Sequence, residues 1–183
     1  IQEKLSELGI ESSKGLGGTG VTAYIGNGAS SDGCVALRAD MDALPVREQT
    51  GLKFSSVHEG IMHACGHDGH VAMLLGAASL LKRGFSGPGR VTLIFLPAEE
   101  HGNGAEQLVS EGVLDGVQAV FGGHIDTHFE TGVITVDEGL ICAYADPFQI
   151  TIKGRGGHAA RPHEGSVAVV AASSLVMIVQ TLV

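Results

Sequence analysis

A cysteine and three histidines lie within eight residues of one another in the segment MHACGHDGHVAMLL, residues 62–75. They are His63, Cys65, His67 and His70. Thiolate and imidazole suit a borderline or soft divalent ion such as zinc, and manganese or nickel also bind them. Because the spacing matches neither a zinc finger nor the H-E-x-x-H helix, the segment alone leaves two interpretations open: a metal site, or histidines that cap a buried helix.

Two adjacent acids, Glu99 and Glu100, directly follow an apolar run and Pro97. They cannot both point into a core, and two unpaired carboxylates side by side repel each other. One interpretation is a solvated pair in a loop. The other places them beside a dication, where one acid binds the metal while the other transfers a proton in metal-assisted hydrolysis.

The elements that must position these groups follow one another in the order of a doubly wound α/β layer. Hydrophobic periodicity predicts helices at residues 1–9, 68–83 and 105–111, and strands at residues 21–25, 34–39, 90–96 and 119–122. The last two strands are expected to be buried. Ligands in such folds bind outside the carboxyl ends of the strands. We therefore expect four polar loops to converge at one sheet edge, namely ADMDALP, HACGHDGH, PAEEHGNG and GGHIDTH.

The chain changes texture after residue 146. PFQITIKG alternates like a half-exposed strand, and a glycine-rich basic turn then leads into an apolar helix. We place a domain boundary near Ala145, with a first domain in residues 1–145 and the beginning of a second in residues 146–183. The uncharged C-terminal stretch is interpreted as a helix buried in a domain or dimer interface, with a membrane span as the remote alternative.

Composition favours a small molecule or a metal as the partner. The net charge is -9, from 11 Lys and Arg against 20 Asp and Glu. This balance disfavours nucleic acid or an anionic membrane as a partner, because each requires a positively charged surface. The three cysteines form no disulfide framework, which favours a reducing compartment. With no signal peptide recognisable at the start, a cytoplasmic location is expected.

The segment GLGGTG, residues 15–20, formally matches the dinucleotide fingerprint G-x-G-x-x-G. That motif needs a strand before it and a helix after it, whereas a polar ESSK precedes it here and the strand-like VTAYI follows. A nucleotide-binding loop is therefore rejected.

Five segments resemble, in order and spacing, the dinuclear metallo-aminoacylase and carboxypeptidase family. The similarity is to its branch of hippurate hydrolases, indole-acetyl-amino-acid hydrolases and related N-acyl-amino-acid amidohydrolases. The segments are RADMDALP, MHACGHDGHVAMLLGAA, LIFLPAEEHGNGA, GGHIDTH and ITIKGRGGHAARPHE. The resemblance implies a doubly wound mixed-sheet catalytic domain, incomplete here, followed by the start of a smaller α+β dimerisation or lid domain. It also implies a homodimer and two divalent metal ions, zinc, manganese, nickel or cobalt.

Site roles follow from position in these motifs, as the resemblance implies them. Glu99 is expected to be the general base and acid, and His158 to stabilise the oxyanion in the active site of the other subunit. Asp40 is expected to orient a ligand. A further histidine ligand and the strands that complete the sheet are expected outside this chain. The implied metal ligands are Cys65, His67, Glu100 and His124.

The remaining candidates receive supporting or purely structural interpretations. His70 is expected to pack or to support the site, and His63 and Asp68 are candidates for orienting groups. Cys34 and Cys142 look like small strand residues. The histidines interpreted as structural are His58, His101, His128 and His163.

The reaction implied by the resemblance is cleavage of the amide bond of an N-acyl or N-aroyl amino acid by a metal-activated hydroxide. The alternatives are a metallo-dipeptidase or carboxypeptidase of the same family, and a non-catalytic metal-binding member or inactive fragment. A small N-acyl amino acid is thus the expected substrate, and neither nucleic acid nor membrane is an expected partner.

Overall fold

The structure, a computed structural model, describes residues 1–28, 33–100, 102–136, 138–142 and 147–182. The chain divides into two compact units, residues 1–132 and residues 133–183. The boundary expected near Ala145 lies outside the described residues.

The first unit is built on a five-stranded mixed sheet with the order β1-β2-β4-β3-β5. Its strands are β1 (Ser12–Leu16), β2 (Gly20–Ile25), β3 (Cys34–Asp40), β4 (Arg90–Leu96) and β5 (Ala119–Gly122). Strand β3 pairs in parallel with both β4 and β5, whereas β1 and β2 form an antiparallel hairpin that joins β4. The carboxyl ends of β3, β4 and β5 therefore lie at one edge of the sheet.

Helices cover both faces of this sheet, which confirms the doubly wound arrangement. The helices are α1 (Gln2–Glu7), α2 (His67–Gly84) and α3 (Gly104–Ser110). On one face, Leu5 of α1 and Leu74 of α2 pack against Phe95 of β4. On the other, Leu108 of α3 packs against Ile94. Strand β4 is consequently buried on both sides, as its continuous apolar sequence predicts.

Helix α2 carries the start of the histidine motif and has the clearest sequence signals. Its apolar residues recur at helical spacing, and the buried ones, such as Leu74 and Ala78, face the sheet. Asp68 lies in the first turn and Lys82 in the last, each of the sign that the helix dipole favours. The predicted helix at residues 68–83 is therefore confirmed to within one residue at each end.

Strand β1 was not predicted, because SSKGL has no apolar alternation. It forms because GLGGTG turns the chain back onto itself, with Gly17 and Gly18 in the left-handed region and the Gly18 N–H donating to the Gly15 carbonyl. The Gly17 N–H also donates to the Glu111 carboxylate, at 3.1 Å from Oε2. A hairpin turn between antiparallel strands is not a phosphate-binding loop, which agrees with the rejection of the fingerprint.

Strand β5 is present where predicted, but the prediction that it is buried is wrong. All four of its residues are exposed, including Phe121 at 63%. The reason is its place at the edge of the sheet, where β3 is its only partner strand in the described chain.

The second unit contains α4 (Ala168–Val179) and two short 3-10 turns, Pro162–Glu164 and Gln180–Leu182. The prediction of a strand in PFQITIKG is wrong, because residues 147–154 contain no strand. Within the described residues, the pairing nearby is limited to a single bridge between Arg155 and Ser166. The apolar C-terminal helix is confirmed, although its side chains are largely exposed. None of the helices in the described part of the chain is long and apolar enough to cross a membrane.

Candidate metal centre

The predicted convergence of polar loops at the carboxyl edge of the sheet is confirmed. Asp40 ends β3, His67 begins α2, Glu100 follows β4 and His124 follows β5. Asp40 Oδ2 and Glu100 Oε1 each lie 3.7 Å from His67 Nε2, and the ring centres of His67 and His124 lie 6.5 Å apart. His67 is thus at the centre of the cluster.

The His67 ring is held so that one nitrogen remains free. The residue is 1% exposed, and its Nδ1 lies 3.0 Å from the carbonyl oxygen of Asp42 and 3.3 Å from Asp42 Oδ1. Because both neighbours are acceptors, Nδ1 carries the proton and donates it, which leaves the lone pair on Nε2. That Nε2 is buried and has no hydrogen-bond partner among the described residues. A lone pair held in this way is suited to a cation.

His124 shows the same arrangement on the other side of the cluster. Its Nδ1 donates to the carbonyl oxygen of Ile125 at 2.7 Å, and its Nε2 lies 3.5 Å from the Cys65 Sγ. The donor atoms of Cys65, His67 and His124 all lie within 4.8 Å of one another. Small side-chain shifts would bring all three donor atoms to about 2.0–2.3 Å from one zinc-like ion, which is the usual length of such bonds.

Two acids form a second donor set that shares His67. Glu100 Oε1 lies 3.7 Å from His67 Nε2, is buried, and also lacks a hydrogen-bond partner within the described ranges. Glu99 Oε2 lies 3.9 Å from the same nitrogen, but its side chain is 40% exposed. The Glu100 N–H donates to Asp42 Oδ2 at 2.9 Å, so Asp42 holds both His67 and the backbone of the acid pair. The two acids thus differ: one faces inward and the other reaches solvent.

The loop that carries the two acids is tightly folded. Ala98, directly before them, has a φ of 51°, a left-handed conformation that costs a non-glycine residue free energy. A Cβ at Gly104 would overlap the carbonyl oxygen of Pro97, so the start of α3 lies directly against the end of β4. This loop therefore depends on the glycine to place the acids at the sheet edge.

The negative environment of Cys65 also indicates a cation. The adjacent Glu100 carboxylate, then burial, then the charges of Glu100, Glu99 and Asp40 raise the pKa of the Cys65 thiol from 9.0 to about 11. A divalent ion would offset these charges and take the thiol as thiolate. A soft thiolate, two imidazoles with free lone pairs and a buried carboxylate make a set that fits such an ion.

Asp40 and His70 form a buried pair beneath the cluster, each 2% exposed. Burial raises the pKa of Asp40, but the hydrogen bond from His70 and the charge of Arg38 outweigh it and hold that pKa below its usual value. His70 Nδ1 lies 2.6 Å from Asp40 Oδ1, and Arg38 Nη1 lies 2.8 Å from Oδ2. The donor atoms of Asp40, His67 and His70 also lie within 4.8 Å of one another. His70, however, accepts the Ile125 N–H at Nε2, at 2.9 Å, so both of its nitrogens are used.

Sequence reasoning missed Asp42 and chose other orienting groups. His63 and Asp68 are both exposed, and neither makes a side-chain hydrogen bond to another residue that the structure describes. Asp42 holds the His67 ring, and Asp40, which is expected from its motif to orient a ligand, holds the ring of His70. Asp42 could have been found, because in an extended segment the second acid of RADMD lies on the same side as the first.

The remaining candidates lie away from the cluster or outside the description. Cys34 is buried in β3, where its Sγ lies 3.3 Å from Thr92 Oγ1, as expected of a small strand residue. Cys142 is exposed and lies in no strand, so the same expectation is wrong for it. His128 is 89% exposed. His58 and His163 are also exposed, and His101 lies outside the described residues.

His158 belongs to the second unit, which is described by itself. It is exposed, and its Nδ1 accepts the N–H of Ala160 at 3.1 Å. Its proton therefore lies on Nε2, which is free to donate. This is the opposite tautomer from that of His67 and His124.

Three relatives match between 90% and 100% of this chain. N-acetyl-L-cysteine deacetylase of Bacillus subtilis is 46% identical over 100% of this chain and 44% of its own length. IAA-amino acid hydrolase ILR1-like 5 of Arabidopsis thaliana is 44% identical over 100% of this chain and 42% of its own length. Thermostable carboxypeptidase 1 of Saccharolobus solfataricus is 48% identical over 90% of this chain and 42% of its own length. The chain thus spans less than half the length of these relatives.

A solved structure and a family model agree with these relatives. A Bacillus subtilis protein described as a dinuclear metal binding peptidase from the M20 family matches with a TM-score of 0.70 and 45% identity, over 75% of this chain and 39% of that one. The model of peptidase family M20/M25/M40 matches residues 36–181. The resemblance drawn from the five sequence segments is confirmed, and the chain belongs to peptidase family M20/M25/M40.

Proposed function

We propose that the protein is a metal-dependent amidohydrolase that cleaves N-acyl or N-aroyl amino acids into a carboxylic acid and an amino acid. The observation that carries this proposal is the pair of buried atoms, His67 Nε2 and Glu100 Oε1, that face each other at 3.7 Å without a hydrogen-bond partner among the described residues. Unpaired buried polar atoms cost free energy, and a cation between them removes that cost. The names of two relatives, a deacetylase of N-acetyl-L-cysteine and an IAA-amino acid hydrolase, support the substrate class.

Four side chains would hold the metal. When bound, two divalent ions, zinc, manganese, nickel or cobalt, supply the Lewis acidity that makes water a nucleophile near neutral pH. The name of the structural relative supports two ions. The residues proposed as ligands are Cys65, His67, Glu100 and His124.

Glu99 is the proposed proton carrier. Its carboxylate lies 3.9 Å from His67 Nε2 yet is 40% exposed, so it borders both the cluster and the space from which a substrate enters. It takes a proton from the attacking water and delivers that proton to the leaving amine. Glu100 is unsuited to this role, because its Oε1 is buried and its backbone is fixed by Asp42.

His158 is the proposed oxyanion donor, acting in the active site of the other subunit of a homodimer. The support from this chain is its tautomer: Nδ1 accepts the Ala160 N–H, so Nε2 carries a proton and is exposed to a partner.

The three free thiols favour a reducing compartment, and we propose the cytoplasm.

The test is a hydrolysis screen with the full-length protein, freed of metal and reloaded in turn with zinc, manganese, nickel and cobalt. N-acetyl and N-benzoyl amino acids should be cleaved in the reloaded protein and not in the metal-free one. Glu99→Gln should lower turnover by about 10²–10⁴-fold with metal content unchanged. Glu106→Gln, an exposed acid of α3, serves as the matched control. Substantial activity in Glu99→Gln would remove the proposed role of Glu99.

A metallo-dipeptidase or carboxypeptidase is the second candidate, favoured by the relative from Saccharolobus solfataricus. The same screen separates the two, because a peptidase prefers a dipeptide over the matching N-acyl amino acid. A non-catalytic metal-binding member would hold metal and cleave neither substrate. The presence of a half-exposed Glu99 beside the donor cluster argues against that class.

A further inference from the structure

His70 lies beneath the metal centre, and neither of its nitrogens is free. It sits one helical turn after His67 and is 2% exposed. Nδ1 lies 2.6 Å from Asp40 Oδ1, and Nε2 lies 2.9 Å from the backbone nitrogen of Ile125. An N–H can only donate, so Nε2 is the acceptor and the proton of the ring lies on Nδ1. His70 is thereby fixed as a neutral imidazole in one tautomer.

His70 binds the backbone of Ile125, and the backbone of the same residue also orients His124. The Ile125 N–H donates to His70, and the Ile125 carbonyl oxygen accepts from His124 Nδ1 at 2.7 Å. The rings of His70 and His124 lie 4.8 Å apart. The position of His124 Nε2, 3.5 Å from the Cys65 Sγ, therefore depends on where this backbone is held.

The loop that carries His124 is exposed. It follows β5, a strand of four residues that are all exposed. Ile125 itself is 45% exposed, and its side chain rests on the first turn of α2, where a Cβ at Gly69 would overlap it. His70 is anchored in turn by Asp40, whose other oxygen lies 2.8 Å from Arg38 Nη1 at the buried end of β3. A continuous chain of hydrogen bonds thus joins the sheet to the His124 loop.

We propose that His70 is a positioning residue that clamps the His124 loop to the end of β3 and so sets the affinity of the Cys65 and His124 side of the metal centre. This inference rests on the proposed metal site. It assigns His70 no contact with metal or substrate. Its role is that of an acceptor: without Nε2, the Ile125 N–H loses its partner and the loop is free to shift.

Two substitutions separate the two hydrogen bonds of His70. Asparagine places an amide nitrogen near the position of Nδ1 and can still donate to Asp40, but it does not reach Ile125. Glutamine places an amide oxygen near the position of Nε2 and can still accept the Ile125 N–H. We therefore expect His70→Asn to weaken Co²⁺ binding by about 10- to 100-fold and His70→Gln to stay within about threefold of the parent. His58→Asn, the same exchange at an exposed histidine, should leave binding unchanged.

The experiment is a Co²⁺ titration of the metal-free full chain, followed through the thiolate-to-cobalt absorption of Cys65, with melting temperatures measured in parallel. A purely structural role would weaken both variants in proportion to their loss of stability, and that result would overturn the proposal, as would equal binding by His70→Asn and the parent. If the parent itself binds no Co²⁺, the proposed metal site is wrong and the role of His70 falls with it.

A measurement on the parent alone covers the case in which a variant does not fold. Long-range nitrogen–proton NMR correlations of the histidine rings should show His70 protonated at Nδ1 both before and after metal is added. A proton at Nε2, or a His70 signal that shows direct metal coordination, would contradict the proposed clamp.

Discussion

Replacing Asp40 with asparagine tests whether the support beneath the metal centre is a buried ion network. The carboxylate is 2% exposed and has a close partner on each oxygen, His70 Nδ1 at 2.6 Å and Arg38 Nη1 at 2.8 Å. Asparagine has nearly the same shape, but it carries no charge and presents a donor to one of these two donors. Asp40→Asn therefore removes the ion pair and leaves one donor facing another.

The size of the effect follows from burial. Removing one partner of a buried ion pair costs about 3–5 kcal/mol, because the other charge is left without compensation. Arg38 is 27% exposed, so water restores part of its solvation. We expect the free energy of unfolding at pH 7 to fall by about 2–4 kcal/mol.

The cost should depend on pH. Hydrogen bonding and charge hold the pKa of Asp40 below its ordinary 3.8 in spite of burial, so its contribution to stability is complete well above that value. It is lost as the pH falls through the lowered pKa, because the parent then has no charge at this position either. The difference between parent and variant should therefore be constant from pH 7 to about pH 5 and shrink in more acidic solution.

Chemical denaturation of both proteins at pH 7 and in acid provides the measurement. Asp115→Asn, an exchange at an exposed aspartate, is the control and should change stability by less than about 0.5 kcal/mol. In the double variant with Arg38→Met, the free energy of unfolding should fall by less than the sum of the two single changes, because neither charge is then left without its partner. A loss at pH 7 no larger than that of the control, or one that does not shrink in acid, would refute the ion network.

Three further predictions concern the site itself. The pKa of the Cys65 thiol is raised to about 11, so a metal ion that binds Cys65 near neutral pH should displace the thiol proton. The apparent affinity for Zn²⁺ should therefore rise about tenfold per pH unit, and an affinity independent of pH would contradict thiolate binding. Gly104→Ala should lower the free energy of unfolding, measured by denaturation, by at least about 2 kcal/mol, because its Cβ meets a backbone carbonyl. Gly76→Ala, which has open space in mid-helix, should raise that free energy by up to about 1 kcal/mol. An equal mixture of His158→Ala and Glu99→Gln should regain about a quarter of parent activity, because half the dimers are mixed and each has one complete site; no recovery would place His158 in its own subunit.

The sequence predicts most of the first unit, because its main elements are strongly patterned. Strand β4 matches at both ends, and α2 differs by one residue at each end. The failures have one cause: whether a short segment becomes a strand depends on a neighbour that local pattern does not reveal. Strand β1 lacks apolar alternation but pairs with β2 because the turn between them brings it alongside. Residues 147–154 do alternate, but they have no partner strand in the described chain and are irregular.

The types of residue at the site could be predicted, but not what holds them. Cysteine, histidine and glutamate in polar loops after strands indicate metal chemistry, and the rule for parallel strands brings the loops together. The sequence HDGH does not show which histidine has a free lone pair, because that depends on backbone N–H and carbonyl groups distant in the chain. The hydrogen bond that holds His67 goes to the backbone carbonyl oxygen of Asp42, a contact that the type of side chain does not reveal.

The arrangement explains how three similar imidazoles in a small volume come to differ in chemistry. His67 and His124 each donate from Nδ1 to a carbonyl oxygen and face the cluster with Nε2, so each can give a lone pair to a cation. His70 has the same tautomer, but a backbone N–H occupies its Nε2. The difference between a ligand and a support is therefore one hydrogen bond. Since that bond comes from the residue next to His124, the loop that supplies one proposed ligand also keeps the Nε2 lone pair of His70 from a cation.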